Sequence, residues 1–132
     1  MLDGLMDING NVCRNILEID NEKFNKYLAD NLIQRINLIL EDISKLDIDD
    51  KQYVISKRNF QLYWALESLF KIKNLMDFNE IKEILYKTSV FEDYTIREKT
   101  AKIVSYYSND DAEKIKNILK NDENYFVKRY IK

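Results

Sequence analysis

Apolar residues recur at helical spacing along almost the whole of this chain. Phe24, Leu28, Leu32, Ile36, Ile39, Ile43 and Leu46 step by three or four positions and so share one helix face. Asp20 or Asn21 stands where a short side-chain oxygen caps that helix. The acidic turn Asp47-Ile48-Asp49-Asp50 ends it. A second helical pattern runs from Asp50 to about Lys73, with Phe60, Trp64, Ala65, Leu69 and Ile72 on one side. Asp77 and Glu80 have capping-box spacing and open a helix from Phe78 to about Lys87 that buries Ile81, Ile84 and Leu85. A helix from Tyr94 to about Tyr107 follows, burying Ile96, Thr100, Ala101, Ile103 or Val104, and Tyr107. Asn109 and Asp110 open the next, through Lys120, and Asp122 or Glu123 opens a final short one to Ile131. Residues 1–10 read as loose, and a short helix is expected from about Asn11 to Ile19. The core expected from this pattern contains Leu28, Leu32, Ile36, Trp64, Leu69, Ile81, Leu85, Ala101, Ile115 and Leu119.

Part of the pattern repeats. Ile81, Ile84 and Leu85 recur as Ile115, Ile118 and Leu119, a shift of 34 positions. Upstream, Phe60 maps to Ile96 and Ala65 to Ala101, a shift of 36. A period in the mid-thirties with helical spacing inside it marks stacked helical hairpins. The expected fold is therefore all-α, a short α-solenoid of about six or seven helices in one domain over residues 1–132.

Asp93-Tyr94-Thr95-Ile96-Arg97-Glu98-Lys99-Thr100-Ala101 resembles the opening of a HEAT or HEAT-like repeat, with Asp, an aliphatic residue three later, Arg next, and small residues one turn on. Asn124-Tyr125-Phe126-Val127-Lys128 looks like the same opening, with Asn for Asp and Lys for Arg. Phe60 to Leu69 is a degenerate version, with Gln61 at the Arg position. The resemblance covers roughly residues 57–132 and implies a curved stack whose inner face binds proteins or nucleic acid. It also implies that the Arg bridges to a neighbouring repeat.

Composition narrows the function classes. Pro is absent and both glycines, Gly4 and Gly10, fall in the first ten residues, so the turn residues of tight β-hairpins are missing elsewhere. There is no histidine, which removes the commonest general base. Two glycines are too few for a dinucleotide fingerprint, and Gly4 and Gly10, six positions apart, fit the spacing of neither a phosphate loop nor a nucleophile elbow. The chain reads as a non-enzyme with no cofactor and no metal. The one cysteine, Cys13, sits among apolar neighbours and is expected buried. Asp7, Asn9, Asn11 and Glu18 match positions of a calcium-loop template, but Val12 stands where the sharp turn needs Gly, so they read as a polar turn. No signal peptide and no membrane span are visible, and a cytoplasmic location is expected.

Charge is uneven along the sequence. Residues 1–50 hold 11 Asp/Glu against 5 Lys/Arg, and residues 51–132 hold 12 against 16. Glu41, Asp42, Asp47, Asp49 and Asp50 form the densest acidic stretch and are the first candidates for a partner-binding face. Tyr94, Arg97, Tyr125 and Lys128, at the repeat openings, are the second candidates. Tyr106-Tyr107 and Tyr125-Phe126 are each expected to turn one ring inward and leave one near the surface. The function these features suggest is a protein-binding module, in the form of a bacterial immunity protein or inhibitor that covers a basic toxin or nuclease domain. The alternative is a nucleic-acid binder using the basic C-terminal half, for which a net charge of −2 is a poor footprint.

Overall fold

The computed structural model describes residues 2–5, 9–47 and 52–131. Among the described residues the fold is all-α, with eight α-helices, one 3₁₀ turn and no strand. The helices are α1 (Leu2–Leu5), α2 (Gly10–Leu17), α3 (Glu22–Ser44), α4 (Gln52–Lys71), α5 (Phe78–Ser89), α6 (Tyr94–Val104), α7 (Asp110–Lys120) and α8 (Tyr125–Lys128), with the 3₁₀ turn at Lys73–Leu75.

Local chemistry explains where the helices begin. Asn9, Asn21, Asp77, Asp93, Asn109 and Asn124 each stand in an extended conformation before a helix and accept a hydrogen bond from one of its first backbone N–H groups. Each satisfies a donor that the helix itself leaves unpaired. Two starts differ from expectation. The segment 1–10 is not wholly loose, because α1 forms within it. The last helix is capped by Asn124, not by Asp122 or Glu123. The side chain of Asp122 is engaged by Arg97 and by the N–H of Asn124.

The chain forms two compact units, Met1–Leu75 and Met76–Lys132. In the first, α3 and α4 pack along each other, and α1 and α2 pack on one another and on α4. Two contacts fix the α3/α4 pair as antiparallel. Arg58 near the start of α4 lies 3.7 Å from Asp42 near the end of α3. Lys71 at the end of α4 donates to the Ile19 carbonyl, 2.8 Å away and just before α3. The α3 stripe Phe24, Leu28, Leu32, Ile36 and Ile39 is buried, as are Trp64, Ala65, Leu66 and Leu69 of α4. Phe60 and Tyr63 meet Trp64 edge-on at 6.2 and 5.3 Å between ring centroids. Phe60 lies in the middle of a 20-residue helix, so no helix opens there. Cys13 is fully buried. Gly4 brings α1 close to α2: a Cβ there would lie 2.5 Å from Ile16 Cδ1.

In the second unit α5 pairs with α6, α7 packs on both, and α8 packs on α6 and α7. The α5/α6 contact is tight because Thr100 and Ala101 are small. Thr100 Oγ1 donates to Thr88 Oγ1 across it at 2.7 Å, and Thr88 Oγ1 donates to the Ile84 carbonyl at 3.0 Å, so neither buried hydroxyl is orphaned. The 34-residue shift superposes the buried positions Phe78, Ile81 and Leu85 on Ala112, Ile115 and Leu119. It fails at the other three buried positions of α5: Ile84 is 2% exposed whereas Ile118 is 40% exposed, and buried Thr88 and Ser89 fall on Asp122 and Glu123, which are not buried. Every residue of the expected core is buried, and both Ile103 and Val104 are.

Candidate functional site

Two surfaces were singled out by sequence, and the structure treats them differently. Glu41 and Asp42 project from the last turns of α3 and are exposed, as is Asp47 beyond it. Asp49 and Asp50 lie outside the described residues. The described carboxylates do not present an unopposed negative field. Lys45 lies 3.3 Å from Glu41, one helical turn away, and Arg58 lies 3.7 Å from Asp42. A shallow groove beside Asp42 is shared with Arg35, Leu38, Ile39, Arg58 and Gln61. The asymmetry between the halves of the sequence has the same fate. Residues 51–75 carry one acid and five bases, and they belong to the same compact unit as residues 1–50. Folding α4 against α3 therefore brings the basic run to the acidic one.

The openings of α6 and α8 form the second surface. Asp93 caps α6 through the Thr95 N–H at 2.9 Å, and Asn124 caps α8 through the Phe126 N–H at 2.9 Å. In each opening the third residue after the cap turns inward, and Ile96 and Val127 are both fully buried. The residue directly after the cap points out: Tyr94 is 42% and Tyr125 is 70% exposed. Phe126 is also 48% exposed, so the expected inward ring of the Tyr125-Phe126 pair is not found. The single turn of α8 has one inward position, and Val127 fills it. Tyr106-Tyr107 does divide as expected, with Tyr106 exposed and Tyr107 half-buried against Phe78 at 4.9 Å between centroids. Burial raises the pKa of the Tyr107 hydroxyl.

These rings are contiguous. Phe126 stands between Tyr94, at 6.5 Å, and Tyr125, at 5.8 Å. The Arg129 guanidinium lies 5.4 Å from the centre of the Phe126 ring and 4.9 Å from that of Tyr130, within cation–π range. Arg129 is held there by Glu98 at 3.3 Å. Phe126 entered the sequence reading only as a member of the Tyr125-Phe126 pair, and neither it nor Arg129 was among the candidate site residues; that α8 is a single turn, which faces both rings outward, is seen only in the structure. Lys128 is exposed beside them.

Arg97 differs from the exposed residue expected. Its Nε donates to Asp122 Oδ2 at 2.6 Å, and its Nη1 donates to the carbonyls of Phe91 and Glu92 at 2.7 Å each. The guanidinium thus ties α6 to the loop before it and to the loop before α8. Burial alone would raise the Asp122 pKa. The Arg97 hydrogen bond, the Asn124 N–H and the charges of Arg97 and Lys128 outweigh it and hold this carboxyl below its ordinary range.

Other candidates have structural occupations. Asn9 spends its side-chain oxygen on capping α2 at the Asn11 N–H, 2.9 Å away, and Asp7 of the same calcium-loop template lies outside the described residues. Among the described residues no three Cys, Asp or Glu side chains converge as a metal site, and no helix is long and apolar enough to cross a membrane. No protein-family model matches this chain, and no curated protein or solved structure shows significant similarity to it.

Proposed function

We propose that this chain is a non-catalytic protein-binding module that engages its partner through the α6/α8 face. One observation carries the reading: Tyr94, Tyr125 and Phe126 form a contiguous exposed aromatic cluster with Arg129 stacked against it. Tyr, Phe and Arg are enriched at interfaces, and Tyr and Arg supply much of the energy at their centres. Rigid rings carried on capped helix starts lose little conformational freedom on binding.

The four helices of the second unit are read as two stacked HEAT-like hairpins. Support comes from the superposition of three of the six buried α5 positions under the 34-residue shift, and from the matched Asx-capped openings at Asp93 and Asn124. Within the binding class we place a cytoplasmic bacterial immunity protein or inhibitor, because masking an active surface requires only a firm face with anchors. A basic toxin or nuclease partner would rest on the α3 carboxylates, and the pairing of Glu41 and Asp42 with Lys45 and Arg58 weakens that basis. Nucleic-acid binding has less support, since residues 76–132 contain 11 acids and 11 bases and so offer phosphates no net attraction.

The test is the double replacement Tyr125→Ala, Phe126→Ala, assayed against the partner recovered from the native host. Both rings are exposed, so the circular dichroism spectrum should not change. Affinity should fall by about 2–4 kcal/mol in binding free energy. Unchanged affinity would remove the aromatic face from the account.

A further inference from the structure

On its other side Arg129 lines a groove of about 480 Å³ formed by the C-terminal end of α6, by α7 and by the residues after α8. That volume falls within the range of pockets that hold small ligands or a few side chains. Lys102, Lys116 and Arg129 supply three cations to its wall and Glu113 a single carboxylate. Glu113 is already held by Lys116 at 3.1 Å. Tyr106 and Tyr130 supply ring faces. The hydroxyl of Tyr130 accepts from Arg129 Nη2 at 3.1 Å, which leaves its own proton for an incoming acceptor. Lys116 is anchored by its bonds to the Tyr107 carbonyl and Glu113, so that pair adds no net charge to the wall.

We propose that this groove receives an acidic segment of the partner protein, with Arg129 and Lys102 meeting its carboxylates. The inference rests on the protein-binding reading and names the chemistry of the partner. Arg129 Nη2 is already engaged by Glu98 and Tyr130, so a carboxylate would meet this fixed guanidinium through a remaining N–H group and its charge. The ring faces of Tyr106 and Tyr130 favour a segment in which acidic residues alternate with apolar ones. A peptide fits better than a nucleic acid strand. Glu113 and Glu98 interrupt the cations, so there is no continuous track for successive phosphates. Arg129 contacts both the aromatic cluster and this groove, so one partner segment can engage both sides of it.

The probe is a short fluorescein-labelled peptide of alternating glutamate and leucine, titrated by anisotropy at low and at physiological salt. Saturable binding is expected, weakened by salt, and weakened by at least about tenfold in Lys102→Glu and in Arg129→Glu. Arg129→Lys keeps the charge but loses the planar group that Glu98 and Tyr130 hold in place, so it should fall between. Lys102→Glu leaves the Arg129–Glu98 pair in place, which guards against a folding defect in the Arg129 variants. No binding, or binding indifferent to Lys102→Glu, overturns the inference. So does preference for a single-stranded oligonucleotide of equal charge. If the peptide fails while Tyr125→Ala, Phe126→Ala still weakens the native partner, the groove inference alone falls.

Discussion

Leu85→Ala should destabilise the second unit by about 2–5 kcal/mol, and Leu119→Ala should do the same. Both side chains are fully buried and occupy matched positions on α5 and α7. Each truncation removes transfer free energy and leaves a cavity that a close-packed helix pair refills only in part. The paired positions Ile84 and Ile118 sharpen the test. Ile84→Ala should cost about 2–5 kcal/mol, because that side chain is buried. Ile118→Ala should cost about 1 kcal/mol or less, because much of that side chain already faces water. Urea unfolding of the four variants measures all of these. Equal costs at Ile84 and Ile118 would mean that α7 is covered along its outer side by something other than α8.

The second large effect is expected at Arg97. Replacing it with Ala strands the largely buried Asp122 carboxylate and the carbonyls of Phe91 and Glu92. The cost should be about 2–3 kcal/mol at neutral pH, since unpaired buried groups forfeit their solvation. The effect should depend on pH in a fixed direction. Asp122 titrates below its unfolded value of 3.8 in the folded protein. Its contribution is therefore complete above that value and disappears as pH falls through the lowered folded pKa. The stability gap between wild type and Arg97→Ala should narrow in strong acid. Unfolding curves across a pH series give the answer. A gap that stays constant into acid would show that the Arg97 bonds to Phe91 and Glu92, rather than the ion pair, carry the energy.

Local features of this fold were legible in the sequence because local physics sets them. The α3 stripe follows from apolar residues at three- and four-residue steps, and the starts of α3, α5, α6 and α7 follow from an Asx residue before each pattern. Pairings between distant residues were not legible. The resemblance suggested that Arg97 bridges to a neighbouring repeat, and it also read as an exposed contact residue, but nothing in the spacing names its partner Asp122, 25 positions away, which read as a helix cap. Ile118 shows a similar gap. Its repeat partner Ile84 is buried, but the four residues of α8 span about 6 Å of helix against about 16 Å for α7. So short a turn leaves part of α7 uncovered. The setting of the acidic stretch was hidden in the same way. Its local charge density is real, but the Lys45 and Arg58 pairs that temper it exist only once α3 has formed and α4 has folded back on it.

The central claim is that the partner sits on the α6/α8 aromatic face. Hydrogen exchange of the chain, alone and in complex with its native partner, tests it most directly. Binding should slow exchange of the backbone amides at the start of α6 and through α8, around Tyr94 to Glu98 and Tyr125 to Arg129. The end of α3, around Glu41 to Asp47, should exchange at the same rate in both states. Protection confined to the end of α3, with α6 and α8 unchanged, would contradict the claim and return the acidic carboxylates to the interface.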